Sequence, residues 1–528
     1  MNELLIKNGL IIDGTGQSRF KADLLIKNDR IFEIGMINQD GFNNILDAKG
    51  KIVSPGFIDT HSHSDLGILL DPYIEPKIRQ GITTEVLGQD GISMAPLPLE
   101  YTKPWRKNLS GLNGDSDKLN WDWETTEGYL NLLEESGIGP NVSYLVPHGN
   151  IRMEAMGLDD RAATKDELKK MRQITRRSLE AGAVGLSTGL LYTPCAYANT
   201  EELIEMCKVV AEYDKVFVIH QRSEADAIIE SIKEVIKIGK RSGVRVHFSH
   251  FKICGKKNWE KIDKVEELLD YAKDEGIKIS FDQYPYIIGS TMFGAILPSW
   301  VHNGGTEKLL NRLESSKLRT KIINDIKEGI PGWDNFIDFA GLDGIYITSV
   351  KNDKNKDCVG KNLLEIAEMK GKDPYNAAFD LIYEEENAVG IRINYGKEDQ
   401  VARLMQRPEQ NVCTDGLLAG KPHPRVYGTY PRVLGKYVRE EGLLSLEEAI
   451  HKMTLKPAEI FNLNNRGVLQ KGKKADIVIF DSEKIKNKAT FENPMQYPEG
   501  IETVIINGRP VIHQEKRSEL ITGEVIRR

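Results

Sequence analysis

The sequence predicts an α/β protein: a TIM-like (β/α)8 barrel carrying a small β-sandwich built from both ends of the chain. Three observations lead there. Short apolar runs at 82–88, 141–147, 183–187, 215–220, 244–250, 278–282 and 411–415 alternate with segments at 164–181, 200–213, 224–241 and 259–275, whose apolar residues recur near a 3.6-residue period. Alternation over such a length calls for parallel strands joined by helices. The two ends of the chain read instead as short strands around turns. Finally, histidine or aspartate closes several of the apolar runs, which is where a barrel of this kind places its active-site residues. A doubly wound sheet is the competing architecture, but no GxGxxG follows an early strand.

The elements follow in order. Residues 4–14 and 23–35 are apolar runs interrupted by Asn8-Gly9 and Asn28-Asp29, which are hairpin signals. Residues 475–481 and 501–511 repeat the pattern at the other end. Both termini are therefore expected to meet in one composite domain, 1–54 with 467–528, leaving 55–466 for the barrel. Lys51 to Ile58 reads as a buried strand that runs into Asp59-Thr60-His61-Ser62-His63. Segment 288–350 breaks the barrel rhythm with Pro298-Ser299-Trp300, Gly304-Gly305 and a charged helix, and reads as an insertion that could act as a lid.

Bulk properties exclude several classes. At 528 residues with a net charge of −7, the chain offers no basic field for nucleic acid. No apolar stretch is long enough to span a membrane, and the first residues lack the pattern of a signal peptide. Cys195, Cys207, Cys254, Cys358 and Cys413 form no CxxC and no disulfide framework, so a reducing cytoplasm is the expected compartment.

Side chains on a strand alternate faces, so His61 and His63 should project side by side, and imidazole is the commonest nitrogen ligand for zinc-like ions. His220 ends the run 215–220, His250 ends 244–250 and Asp415 ends 411–415. By parity His220 shares a face with Val216 and Val218, and His250 with Val246 and Phe248. His247 should then point the other way, as a core histidine. Four histidines and an aspartate at strand ends point to a metal centre. Asp59, on the face of His61 and His63, is expected to support a ligand.

The run Pro55-Gly56-Phe57-Ile58-Asp59-Thr60-His61-Ser62-His63 resembles the opening of the amidohydrolase superfamily. Residues 80–86, 185–192, 249–252, 284–286, 289–291, 423–435 and 475–478 resemble, more narrowly, the D-aminoacylase (N-acyl-D-amino-acid deacylase) family, in order and along essentially the whole chain. Two positions depart from relatives. Many binuclear amidohydrolases bridge their metals with a carboxylated lysine after the fourth strand, whereas this chain has Ser187 there. D-Aminoacylases use a cysteine in a Gly-x-Cys-Gly turn, and this chain has Gly88-Gln89-Asp90-Gly91. A carboxylate can bridge two cations, so Asp90 is expected to replace that ligand.

The resemblance implies a tight metal site of Asp90, His220 and His250, and a second site of His61, His63 and Asp415. The cofactor expected is Zn2+, as one or two ions, with Mn2+ or Co2+ admitted by the harder oxygen ligand. Such an ion lowers the pKa of bound water from about 15.7 to roughly 7. Asp415 is the expected proton shuttle, and Lys252, Tyr284, Ser290 and Arg425 the groups that bind a substrate carboxylate. His148 resembles a family His-Gly segment and receives no role. Cys195 and Cys254 are expected to pack near the pocket. The reaction implied is hydrolysis of the amide of an N-acyl-D-amino acid, its partner being that small molecule or a D-peptide. A D-peptidase or dipeptidase shares the chemistry. A cyclic amidase of hydantoinase or dihydroorotase type normally carries the lysine that Ser187 replaces. A non-catalytic scaffold would have lost ligands that this chain retains.

Overall fold

The computed structural model describes residues 3–528. Eight parallel strands follow one another in chain order around the barrel: Phe57–Asp59, Ile82–Leu87, Asn141–Pro147, Gly185–Gly189, Val216–His220, Arg245–Phe248, Ile279–Gln283 and Gln410–Val412. Side-chain and loop contacts draw the last strand to the first. Asp415 N donates to His61 O at 2.8 Å, Asn411 Nδ2 to Thr60 Oγ1 at 2.7 Å, and Tyr430 Oη to Ile58 O and Val412 O at 2.8 and 3.1 Å.

Period-2 alternation sorts the strand residues between two cores. Ile58, Val86, Leu145, Val216 and Val218 point inward and pack with Phe461, Leu463 and Ile526. Phe217, Ile219, Val246 and Phe248 point outward, onto a large core shared with Ile232, Val235 and Leu269. The latter come from the helices Ile228–Ser242 and Ile262–Asp274. Helices Lys165–Glu180 and Thr200–Glu212 begin where sequence places their caps. Thr164 and Glu167 form a reciprocal capping box, and the Asn199 side chain accepts from Glu202 N.

The termini share one nine-stranded sheet, in which Ile52–Pro55 joins Glu3–Ile11 to Ile477–Phe480. Alternation works here too. Ile477 and Ile479 pack with Leu24, Ile26 and Val53, while Val478 and Phe480 pack with Phe57, Tyr430 and Val433 of the barrel side. The run from Lys51 to Ile58 is therefore two strands in two sheets rather than one. The break falls at Gly56, where a Cβ would lie 2.1 Å from Thr83 Oγ1, so only glycine lets the chain pass this close.

Within 288–350, Ile288–Met292 and Ile345–Ser349 flank a third antiparallel strand, Gly390–Asn394, which comes from beyond that segment. Helices Thr306–Glu314, Ser316–Glu328 and Phe336–Ala340 lie between the first two. The last brings Phe336 and Phe339 to the mouth of the barrel.

Candidate metal centre

Six side chains converge above the barrel, and Asp90 stands among them. His61 Nε2 and His250 Nε2 lie 3.6 and 3.5 Å from Asp90 Oδ1, and His220 Nδ1 lies 3.8 Å from the same oxygen. His63 Nε2 is 3.6 Å from Asp90 Oδ2. Asp415 Oδ1 closes the group at 3.7 Å from His61 Nε2 and 3.3 Å from His63 Nε2. All six are buried.

The backbone that places them is unusual. Asp90, His250 and Asp415 have φ of 57°, 35° and 48°, in the left-handed region that non-glycine residues seldom occupy. Such strain concentrates where the surrounding structure fixes a functional geometry. It also corrects the parity expected along the sixth strand. Val246 and Phe248 face the helices, and His247 points into the barrel. There its Nε2 lies 3.0 Å from Asp282 Oδ2 and its ring packs edge-on against Phe461. His250 reaches the centre only because the chain turns after the strand. Similarly, His61 and His63 lie past the strand end at Asp59, and Asp415 past the one at Val412.

The arrangement fits a divalent cation. Both ring nitrogens of His61 and of His63 are buried with no hydrogen-bond partner among the described residues, as is Asp90 Oδ1. Orphaned polar atoms are costly inside a protein and rare in native ones. Nitrogen and oxygen ligands about 2.1 Å from a tetrahedral ion stand roughly 3.4 Å apart, which matches the spacing between these atoms. Two triads qualify by proximity, His61–Asp90–His250 and His61–His63–Asp415. A third, His220–Glu224–His250, includes a carboxylate that no sequence motif had marked.

The charges suit the same purpose. Burial disfavours the Asp90 carboxylate, yet the neighbouring imidazoles hold it well below the ordinary range. Asp415 is likewise held ionised against burial by Arg425, His63 and His61. Burial pushes His220 down to about 4, which keeps it a neutral ligand.

Ser187 sits where the resemblance would place a bridging lysine. Its Oγ donates to Gly88 O at 2.5 Å and accepts from Gly91 N at 3.1 Å, so it grips both ends of the turn carrying Asp90. Asp59 accepts from Thr414 N at 2.8 Å and from Lys77 Nζ at 2.7 Å, rather than from an imidazole. Its support reaches the centre through the turn that holds Asp415. Lys77 is fully buried between Asp59 and Glu85, a charged group that sequence reasoning missed.

Lys252, Tyr284 and Ser290 line the cavity beside the clustered histidines and aspartates. Lys252 Nζ pairs with Glu224 Oε2 at 2.6 Å, and Tyr284 Oη accepts from Tyr395 Oη at 2.6 Å. Ser290 Oγ donates to Ile391 O at 2.7 Å. Arg425 lies behind them, fully buried, with its guanidinium 4.5 Å from the centre of the Tyr284 ring. Its Nη1 is 2.9 Å from Asp415 Oδ2 but out of line for a hydrogen bond, and its Nε also has no acceptor. His148 lies apart from these groups, with Nε2 2.9 Å from Glu202 Oε1 and Nδ1 2.9 Å from Thr188 Oγ1. Cys195 and Cys254 are buried thiols, and Cys254 borders the cavity.

A barrel whose strand ends gather four histidines and two aspartates in this way defines a metal-dependent hydrolase. The chain belongs to the Amidohydrolase family, which it matches over residues 44–313 and 365–512. It is 32% identical to a D-aminoacylase of Alcaligenes xylosoxydans xylosoxydans, covering 100% of this chain and 98% of that protein. It is 35% identical to an N-acyl-D-glutamate deacylase of the same organism, covering 100% and 96%. Among solved structures, the N-acyl-D-glutamate deacylase of Bordetella bronchiseptica, complexed with zinc and a phosphonate mimic of the tetrahedral intermediate, superposes with a TM-score of 0.85. It is 34% identical, and 99% of each chain is covered.

Proposed function

We propose that this protein hydrolyses the amide bond of N-acyl-D-amino acids, releasing a carboxylate and a free D-amino acid. The observation that carries the reading is the adjacency of two built features. One is the cluster of His61, His63, Asp90, His220, His250 and Asp415. The other is the Lys252, Tyr284 and Ser290 wall, backed by the unpaired donors of Arg425. The first suits a divalent cation, the second a carboxylate one bond away from the scissile amide. The deacylase relatives cover the chain from end to end.

In this reading Asp90, His220 and His250 would hold one ion, and His61, His63 and Asp415 would offer a second position. Zinc fits the nitrogen-rich donor set, and the two carboxylates admit manganese or cobalt. When bound, the ion supplies an acidified water and a positive charge for the amide carbonyl. The chain's own residues do the rest. Asp415 Oδ1 takes a proton from the attacking water and delivers it to the amide nitrogen as the C–N bond breaks, so that the amine leaves neutral. Lys252 Nζ receives the substrate carboxylate by a charge-assisted hydrogen bond, and Arg425 adds its positive charge from behind the Tyr284 ring. Tyr284 and Ser290 fix its plane. Phe336 and Phe339 exclude bulk water from above.

The test uses protein stripped of metal by chelation and reloaded with zinc, manganese or cobalt. Release of free amine from acetyl-D- and acetyl-L-amino acids is then measured. The reading requires metal-dependent turnover of D substrates well above their L counterparts. Turnover confined to a cyclic imide, or turnover indifferent to metal, refutes it.

A further inference from the structure

We infer that the site is built for D-amino acids with neutral, apolar side chains and turns away the acidic ones that some of its relatives are named for. This rests on the deacylase reading above and refines its substrate. The cavity over the six clustered side chains is bounded on one side by Lys252, Glu224, Tyr284 and Ser290. Its remaining wall carries no charge: Leu112, Leu191, Phe336, Phe339 and Ile393 are apolar, and Tyr192, Thr291 and Tyr395 bring neutral hydroxyls.

The side chain of an N-acyl-amino acid leaves the same carbon as its carboxylate. It therefore falls beside whatever flanks Lys252 and Tyr284. That neighbourhood is a small cluster of Cys254, Tyr284, Tyr395 and Ala225, with Phe339 packed onto it. Phe339 comes this close because residue 255 is glycine, with φ at +86° and a position where a Cβ would lie 2.6 Å from Phe339 Cβ.

Charge decides the matter. Among the described residues Lys252 is the only lysine or arginine lining the cavity, and its ammonium is already 2.6 Å from Glu224. Arg425 stands behind Tyr284 and faces Asp415. The α-carboxylate consumes both of these cations. A second carboxylate on the side chain would be desolvated against phenylalanine and leucine with no counter-ion, next to Asp90, Glu224 and Asp415. Burying an unpaired charge is among the largest penalties a site can impose, whereas an aliphatic or aromatic side chain gains from the same wall.

The experiment measures kcat/KM of the zinc-loaded enzyme for the N-acetyl derivatives of D-leucine, D-phenylalanine, D-glutamine, D-glutamate and D-aspartate. Leucine and phenylalanine are expected to exceed glutamate and aspartate by a hundredfold or more. Glutamine, which matches glutamate in shape without its charge, should fall between. Phe339→Ala should lower kcat/KM for D-leucine tenfold or more while changing that for N-acetyl-D-alanine much less. A preference for glutamate or aspartate overturns this inference and leaves the deacylase reading standing. Failure to hydrolyse any N-acyl-D-amino acid overturns both.

Discussion

Glu224 offers the sharpest test of how this centre is held, because nothing in the sequence announced it. Its Oε1 lies 3.1 Å from His250 Nδ1, and its Oε2 2.6 Å from Lys252 Nζ. A histidine that binds a cation through Nε2 must carry its hydrogen on Nδ1, and Glu224 is placed to accept that hydrogen. The carboxylate thus selects the tautomer that turns the His250 lone pair toward Asp90. Removing such a partner typically weakens metal affinity by about 10- to 100-fold, or roughly 1.4–2.8 kcal/mol.

Glu224→Ala should leave the local backbone in place, because it is anchored independently of the side chain. Glu224 N donates to Asp334 Oδ2 at 2.7 Å, and Glu224 O accepts from Cys254 N at 2.7 Å. The assay is competition for zinc between the apo variant and a chromophoric chelator, with the melting temperature of the apo protein as control. We expect the affinity loss above, together with a lower apo melting temperature, because the buried Lys252 ammonium loses its counter-ion. Glu224→Gln, whose amide oxygen can still accept from Nδ1, should recover most of the affinity. It should not recover KM for the acid substrate, since the amide no longer balances Lys252. Zinc affinity within twofold of wild type in the alanine variant would refute the argument.

Other outcomes follow from the same geometry. Asp90→Ala should lose tightly bound metal and activity together, by elemental analysis and turnover; unchanged metal content would remove Asp90 from the centre. Asp415→Asn should retain the tight ion while turnover falls by about 10²–10⁴-fold, the usual worth of acid–base help, and near-normal turnover in the metal-replete variant would end its shuttle role. Arg425→Ala should raise KM strongly for acyl-D-amino acids and far less for the corresponding amides, and equal effects on both would make the arginine a support for Asp415 alone. Against burial, contacts with Cys195 and Glu202 raise His148 to about 9. Its imidazolium therefore stabilises the fold fully below its unfolded value near 6.5, and that contribution is lost as pH rises through 9. The melting temperature should fall across that window, and fall less in Glu202→Gln.

How much of this was legible beforehand follows from which physical rule governs each residue. The barrel was readable because burial imposes a period on strands and helices, and the eight strands lie on the apolar runs. The convergence of the candidate ligands was readable from residue types at strand ends, but parity failed where the chain leaves the strand. Parity put His250 on the face of Phe248, yet the strand ends at Phe248 and the left-handed backbone of His250 itself reverses the outcome. His247, placed by the same rule on the opposite face as a core histidine, is indeed in the core, but on the barrel-interior side. Glu224 and Lys77 carried no local signal at all. A buried charge is explained only by partners distant in sequence, and those of Lys77 lie 18 residues away at Asp59 and 337 away at Thr414. Ser187 is the instructive intermediate. Its identity told us that a bridging lysine was missing, but only the fold reveals that its hydroxyl clasps Gly88 and Gly91 instead. The two departures, serine for lysine and aspartate in the turn, are then one adaptation. The small hydroxyl leaves room for the turn to close against the fourth strand, and that closure carries the Asp90 carboxylate into the midst of four imidazoles.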